Sequence, residues 1–93
     1  MKVFLFANDG CGSCREWKPT FEKLMQKYEL EYQVIDLYKP QNKELKEKYG
    51  VSGIPDTIFT DDDGNEIGHV LGNMVEDLAI TQIEYYMKKC QKE

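Results

Sequence analysis

Lys2-Val3-Phe4-Leu5-Phe6-Ala7-Asn8-Asp9-Gly10-Cys11-Gly12-Ser13-Cys14 sets an apolar run, a turn cluster and two thiols in immediate succession. The run from Lys2 to Ala7 is rich in β-formers, which predicts a strand buried on both faces. Asn8-Asp9-Gly10 has turn chemistry. From Gly12 to Tyr28 the apolar residues Cys14, Trp17, Phe21, Leu24, Met25 and Tyr28 recur at three- and four-residue intervals, the pattern of one face of an amphipathic helix. The thiols therefore sit at a strand-to-helix junction. Pro19 falls inside the helix and predicts a kink there.

Working outward, Tyr32 to Leu37 reads as a second strand, so strand, helix and strand form a βαβ unit with parallel strands and a right-handed crossover. Pro40-Gln41-Asn42 opens a short helix through Lys43 to Tyr49, and Gly50 stands where a left-handed C-terminal cap belongs. Thr57–Thr60 and Glu66–Leu71 are short β-rich runs. The Asp61-Asp62-Asp63-Gly64-Asn65 stretch between them has hairpin-turn chemistry. Asn73 and Glu76 have capping-box spacing ahead of a last helix, with Val75, Ala79, Ile83, Tyr86 and Cys90 on its apolar face. The order βαβαββα predicts an α/β fold: one domain over residues 1–93, with a four-stranded mixed sheet and helices on both faces.

The composition agrees with a folded domain. Hydrophobic residues make up 41% and charged residues 31% of the 93 positions, an ordinary balance for a globular chain. The net charge of −5, with acids and bases interleaved, argues against nucleic acid and anionic membranes as partners. No stretch reaches the ~20 apolar residues of a membrane span, and the apolar start is shorter than a signal-peptide core of at least ~7 residues. A monomeric, cytoplasmic protein is the expectation. Three cysteines cannot all pair within the chain, which disfavours a disulfide-stapled secreted fold.

Two thiols three positions apart can close a small disulfide ring without unfolding the chain. Cys11, at or before the helix N-terminus, meets unpaired N–H groups and the positive end of the dipole, which favour the thiolate that attacks disulfides. Cys14, within the first turn, is the more buried and is placed to resolve a mixed disulfide. Gly12 and Ser13 are small enough for a substrate backbone to approach. The bland readings are an idle pair or a metal site. Zinc usually takes four ligands, and His69 and Cys90, the remaining candidates, fit no finger or ribbon spacing. Redox chemistry leads; the spacing by itself leaves the others open.

A second feature, Gly50-Val51-Ser52-Gly53-Ile54-Pro55-Asp56-Thr57, precedes a strand. Together with Cys11-Gly12-Ser13-Cys14, Pro19 five residues after the second cysteine, the Asp63-Gly64-Asn65 hairpin and Leu71-Gly72, it resembles the thioredoxin family along nearly the whole chain. The resemblance implies a thioredoxin-like fold and a thiol-disulfide oxidoreductase with Cys11 and Cys14 as catalytic residues, and no cofactor beyond their redox-active disulfide. It also implies that Pro55 is cis, that Ile54 and Pro55 dock an extended substrate, and that Leu71 and Gly72 form the facing edge. Disulfide-containing proteins would be the substrates. A thioredoxin reductase or glutathione would be the upstream reductant.

The pattern has departures. Full-length thioredoxins place a strand and helix before the dithiol strand, which here stands first; the shorter build is also that of glutaredoxins. Gly10 and Ser13 replace the usual Trp and Pro, and Leu5 takes the place of the buried acid. Glutaredoxins carry a Pro-aromatic pair between the cysteines and a Val before the proline, neither of which is present, so a glutathione-dependent activity is the second reading. A zinc- or iron–sulfur-binding module of the same fold is the third. Asp56 fits neither group's pattern and reads slightly better as a solvated turn residue than as a selector of basic partners. His69 reads as a structural residue near a sheet edge, Trp17 and Cys90 as core. The Asp61–Asp63 run fails the EF-hand pattern and reads as a solvated hairpin tip.

Overall fold

The computed structural model describes residues 1–91 of the chain. In chain order it contains β1 (Lys2–Ala7), α1 (Gly12–Lys27), β2 (Glu31–Asp36), a 3₁₀ turn (Pro40–Asn42), α2 (Lys43–Lys48), β3 (Asp56–Thr60), β4 (Glu66–Leu71) and α3 (Glu76–Gln91). The predicted order βαβαββα is the observed one. The sheet runs β2-β1-β3-β4. β1 lies parallel to β2 and antiparallel to β3, and β3 is antiparallel to β4, so the sheet is mixed.

Burial follows strand position. The two central strands, β1 and β3, are buried almost throughout, whereas β2 and β4 at the edges alternate or stay exposed. This is why β1 reads as an unbroken apolar run; β3 buries two threonines and an aspartate along with Ile58 and Phe59. Alternation across β1 divides the core into two layers. Val3, Leu5 and Ala7 pack with Trp17, Phe21, Leu24 and Met25 of α1 and with Ala79 and Ile83 of α3. Phe4 and Phe6 face the other way, toward Ile35, Leu37, Tyr49, Val51 and Ile58.

α1 runs without interruption through Pro19. It ends with Glu29 in a left-handed conformation (φ 53°), a geometry that glycine adopts at less cost. Gly50 has the expected positive φ of 63° past α2. Gly68 admits α3, since a Cβ there would overlap the Tyr86 ring, which stacks on Phe59 at 4.7 Å.

Two expectations for α3 fail. Asn73 and Glu76 form no capping box, because the helix begins at Glu76 itself, whose carboxylate pairs with Lys23 at 2.7 Å. Val75 lies outside the helix and is 72% exposed, off the apolar face assigned to it. Ala79 and Ile83 do form that face, being buried, and Tyr86 packs partly buried against them.

Candidate active site

The turn after β1 delivers the dithiol. The Asn8 side-chain oxygen accepts the Gly10 N–H at 2.9 Å, and its amide nitrogen donates to Asp36 at 3.2 Å. The Asn8 carbonyl accepts the Cys11 N–H at 3.0 Å. Asp36 is held below the usual carboxylate range by the Tyr38 backbone N–H and then by Asn8. The turn is therefore tied to β2 as well as to β1. A side chain at Gly10 would meet Asn8 Oδ1 at 3.1 Å, a tight approach that explains glycine at this position.

Cys11 is the N-cap of α1, and its Sγ accepts the Cys14 backbone N–H at 3.1 Å. The sulfur thus occupies the anion position at a helix N-terminus, the arrangement that favours a thiolate over a thiol. Cys11 and Cys14 are joined as a disulfide with Cα atoms 5.2 Å apart. Cys14 is 3% exposed, Cys11 is half-buried, and Gly12 and Ser13 are open to solvent. Of the two cysteines, Cys11 is the more accessible.

The pairing of the strands gathers the remaining predicted residues at the same end of the sheet. Phe6 pairs with Asp56 and Asp56 with Leu71, so the C-terminal end of β1, the N-terminal end of β3 and the C-terminal end of β4 adjoin. Ile54–Pro55, whose peptide bond is cis, leads into β3. The Pro55 carbonyl accepts the Gly72 N–H at 2.7 Å. Leu71 is 65% exposed beside Gly53, where a Cβ would touch its side chain at 3.4 Å. Cys11 and Ile54 both pack against the apolar cluster under α1.

The thioredoxin family model matches residues 2–89 of the chain. The chain belongs to the thioredoxin family. It is 29% identical over 83 residues to the thioredoxin-like chloroplastic protein HCF164 of Arabidopsis thaliana, covering 87% of this chain and 32% of that protein. It therefore spans about a third of that relative's length. It is 27% identical to the thioredoxin of Synechocystis sp., over 83% of this chain and 71% of the relative. Among solved structures, thioredoxin 1 of Thermosipho africanus superposes with a TM-score of 0.82 at 26% identity, covering 99% of this chain and all of that one.

Against the thioredoxin pattern, two features escaped the sequence reading. Leu5, in place of the family's buried acid, is fully buried. Opposite it on β3 stands Thr57, whose hydroxyl accepts the Trp17 indole N–H at 3.0 Å. The buried carboxylate of this chain is instead Asp56, 2% exposed and on the other face of the sheet, beside Phe6. The reading of Asp56 as a solvated turn residue is thus corrected: the strand begins one residue earlier than Thr57, so the side chain points into the sheet's second layer. The other feature is a cleft of about 350 Å³ beside Cys14, lined in part by Asn8, Arg15, Lys18, Asp36 and Lys39. Its residues come from the end of β1 and its turn, from α1, from β2 and from the segment that follows β2, so no single local motif marks it. Among the described residues, no three His, Cys, Asp or Glu side chains converge as metal ligands.

Proposed function

We propose that the protein reduces disulfide bonds in other proteins through Cys11 and Cys14. The Cys11 thiolate attacks a substrate disulfide, forms a Cys11–substrate bond and releases the first substrate sulfur as a thiolate. Cys14 loses its proton and attacks Cys11 Sγ. The Cys11–Cys14 bond forms and the second substrate thiolate leaves. Two substrate sulfurs are reduced and two protein thiols oxidised. An upstream dithiol or thiol reductant, of the thioredoxin-reductase or glutathione kind, restores the pair. Ile54, Pro55, Leu71 and Gly72 dock the extended substrate, and Gly12 and Ser13 leave room for its backbone.

The observation that carries this reading is Cys11 Sγ at the N-cap of α1, accepting the Cys14 N–H at 3.1 Å and bonded to a buried Cys14. That geometry supports Cys11 as the accessible nucleophile and Cys14 as its internal trap. A metal-binding reading would need ligands from a second chain to complete the pair.

The test is reduction of an insulin-type disulfide with dithiothreitol as reductant. Cys11→Ser should lose roughly 10³-fold or more in rate, and Cys14→Ser should accumulate a mixed disulfide with substrate. Equal, negligible turnover by all three proteins would remove the reductase reading and bring metal content and glutathione dependence to the front.

A further inference from the structure

The dithiol chemistry leaves one buried ionisable pair without a task. The Asp56 carboxylate follows Pro55 directly, its side chain is 3% exposed, and its Oδ1 has no hydrogen-bond partner. Its Oδ2 lies 2.6 Å from His69 Nε2 on the neighbouring edge strand β4. The second ring nitrogen, His69 Nδ1, faces Glu66 Oε2 at 3.4 Å. A neutral imidazole has one N–H, so only the imidazolium can donate to both carboxylates. The His69 side chain retains 29% of its accessibility and can exchange protons with water.

The other groups lining this face are mostly apolar; its two ammonium groups, Lys2 and Lys48, sit over the Phe4 and Tyr49 rings at 5.2 Å each. β1 presents Phe6, β3 adds Ile58, and the segment at and after the end of α2 contributes Tyr49 and Val51. The Tyr49 hydroxyl donates to the Gly64 carbonyl at 2.8 Å. His69 and Glu66 are therefore the charged groups acting on Asp56, whose carboxyl is pushed up by burial and pulled back by His69. A buried ion pair is weak support for stability, because desolvation offsets the attraction. Stability alone does not account for a carboxylate here.

Its position supplies a role. The pair crosses β3 to β4 at the end of the ladder from which both docking edges extend. Asp56 is paired with Leu71, and the adjacent Pro55 carbonyl holds the Gly72 N–H. We propose that Asp56 and His69 are positioning residues for protein-disulfide substrates: their ion pair holds the Ile54–Pro55 and Leu71–Gly72 edges in docking register while His69 is protonated. The inference rests on the oxidoreductase reading and refines its substrate. Edge register matters to a disulfide carried on an extended polypeptide, and not to a small disulfide with no backbone to dock.

The test compares an insulin-type protein disulfide with a small aromatic disulfide, dithiobis-nitrobenzoate, in the wild type, Asp56→Asn and His69→Gln. In both variants KM for the protein substrate should rise at least about threefold, with kcat and the small-disulfide rate within about twofold of wild type. In the wild type, the ratio of kcat/KM on the protein to that on the small disulfide should fall as pH rises and His69 loses the proton that both carboxylates share. In His69→Gln it should be flat. Thiolate formation at Cys11 affects both substrates and cancels in the ratio. Unchanged KM in folded variants, parallel loss on both substrates, or a flat wild-type ratio would overturn the proposal; the last decides even where the variants do not fold. Wild-type protein inactive on both substrates would instead overturn the oxidoreductase reading, and this inference with it.

Discussion

Under α1 and α3, the sheet buries the hydroxyl of Thr57 and satisfies it with the Trp17 indole at 3.0 Å. Under α2, the sheet buries the hydroxyl of Thr60, which donates to the Lys2 carbonyl at 2.7 Å, and also a carboxylate with one oxygen unpartnered. The first face is sealed by two helices of 16 residues each. The second is covered by a helix of six residues, none of them fully buried, with Tyr49 and Val51 behind it. The difference shows where each face can hold polarity. The thick face positions the dithiol by dry packing and one neutral hydrogen bond, and the thin face carries charge that reaches solvent through a half-exposed histidine.

The largest effect expected from this comparison is on the thick face. Gly68→Val drives a branched side chain into the space of the Tyr86 ring and should destabilise by about 3 kcal/mol or more, measured by urea denaturation. A loss below about 1 kcal/mol would mean that α3 is loosely seated and that the contrast between the faces is overstated. Next comes Trp17→Phe, which keeps an aromatic ring but leaves the Thr57 hydroxyl without its donor. It should cost about 1–3 kcal/mol.

Asp56→Asn should act with the opposite sign. The Asp56 carboxyl is raised by burial more than His69 lowers it. A raised carboxyl favours the protonated form in the fold, so this group's contribution is fully present below the unfolded pKa and is lost as pH rises through the folded one. The neutral amide escapes that loss. Its Tm should exceed that of the wild type at neutral pH, and the gap should close in acid. A Tm that falls at neutral pH would show the pair to be a net stabiliser and would break the contrast.

The smallest effect belongs to neither face. Lys23 and Glu76 join α1 to the start of α3 across open solvent, and Lys23 holds the Glu76 carboxyl below its ordinary range. That contribution is present above the unfolded pKa and is lost as pH falls through the folded one. Lys23→Ala should lower Tm by only a small part of the Trp17→Phe loss, and added salt should erase the difference.

Much of this was legible along the chain. β1 falls on the residues that its apolar run indicates and β4 on those of its β-rich run, and α1 departs by a single residue at its end. β2 lies one residue earlier than Tyr32–Leu37, and β3 gains Asp56 at its start. That last shift matters most, because in a strand each residue faces opposite to its neighbour. Read as the turn, Asp56 belongs to water; read as the first residue of β3, it belongs to the core. The failed capping box at Asn73 has a related cause, since Lys23 on another helix competes for Glu76 and no local spacing records it.

The sequence by itself determined the element order, the thioredoxin resemblance and the closeness of Cys11 and Cys14 at a helix start, because periodicity, turn chemistry and a two-residue spacer act within one or two helical turns. Tertiary structure alone decided that Cys11, Pro55 and Leu71 meet at one end of the sheet, that Trp17 reaches Thr57, and that Asp56 is buried against His69. Those outcomes depend on strand order, register and which face a residue takes. They are set by the joint packing of residues 13 to 61 positions apart, and no local pattern encodes them.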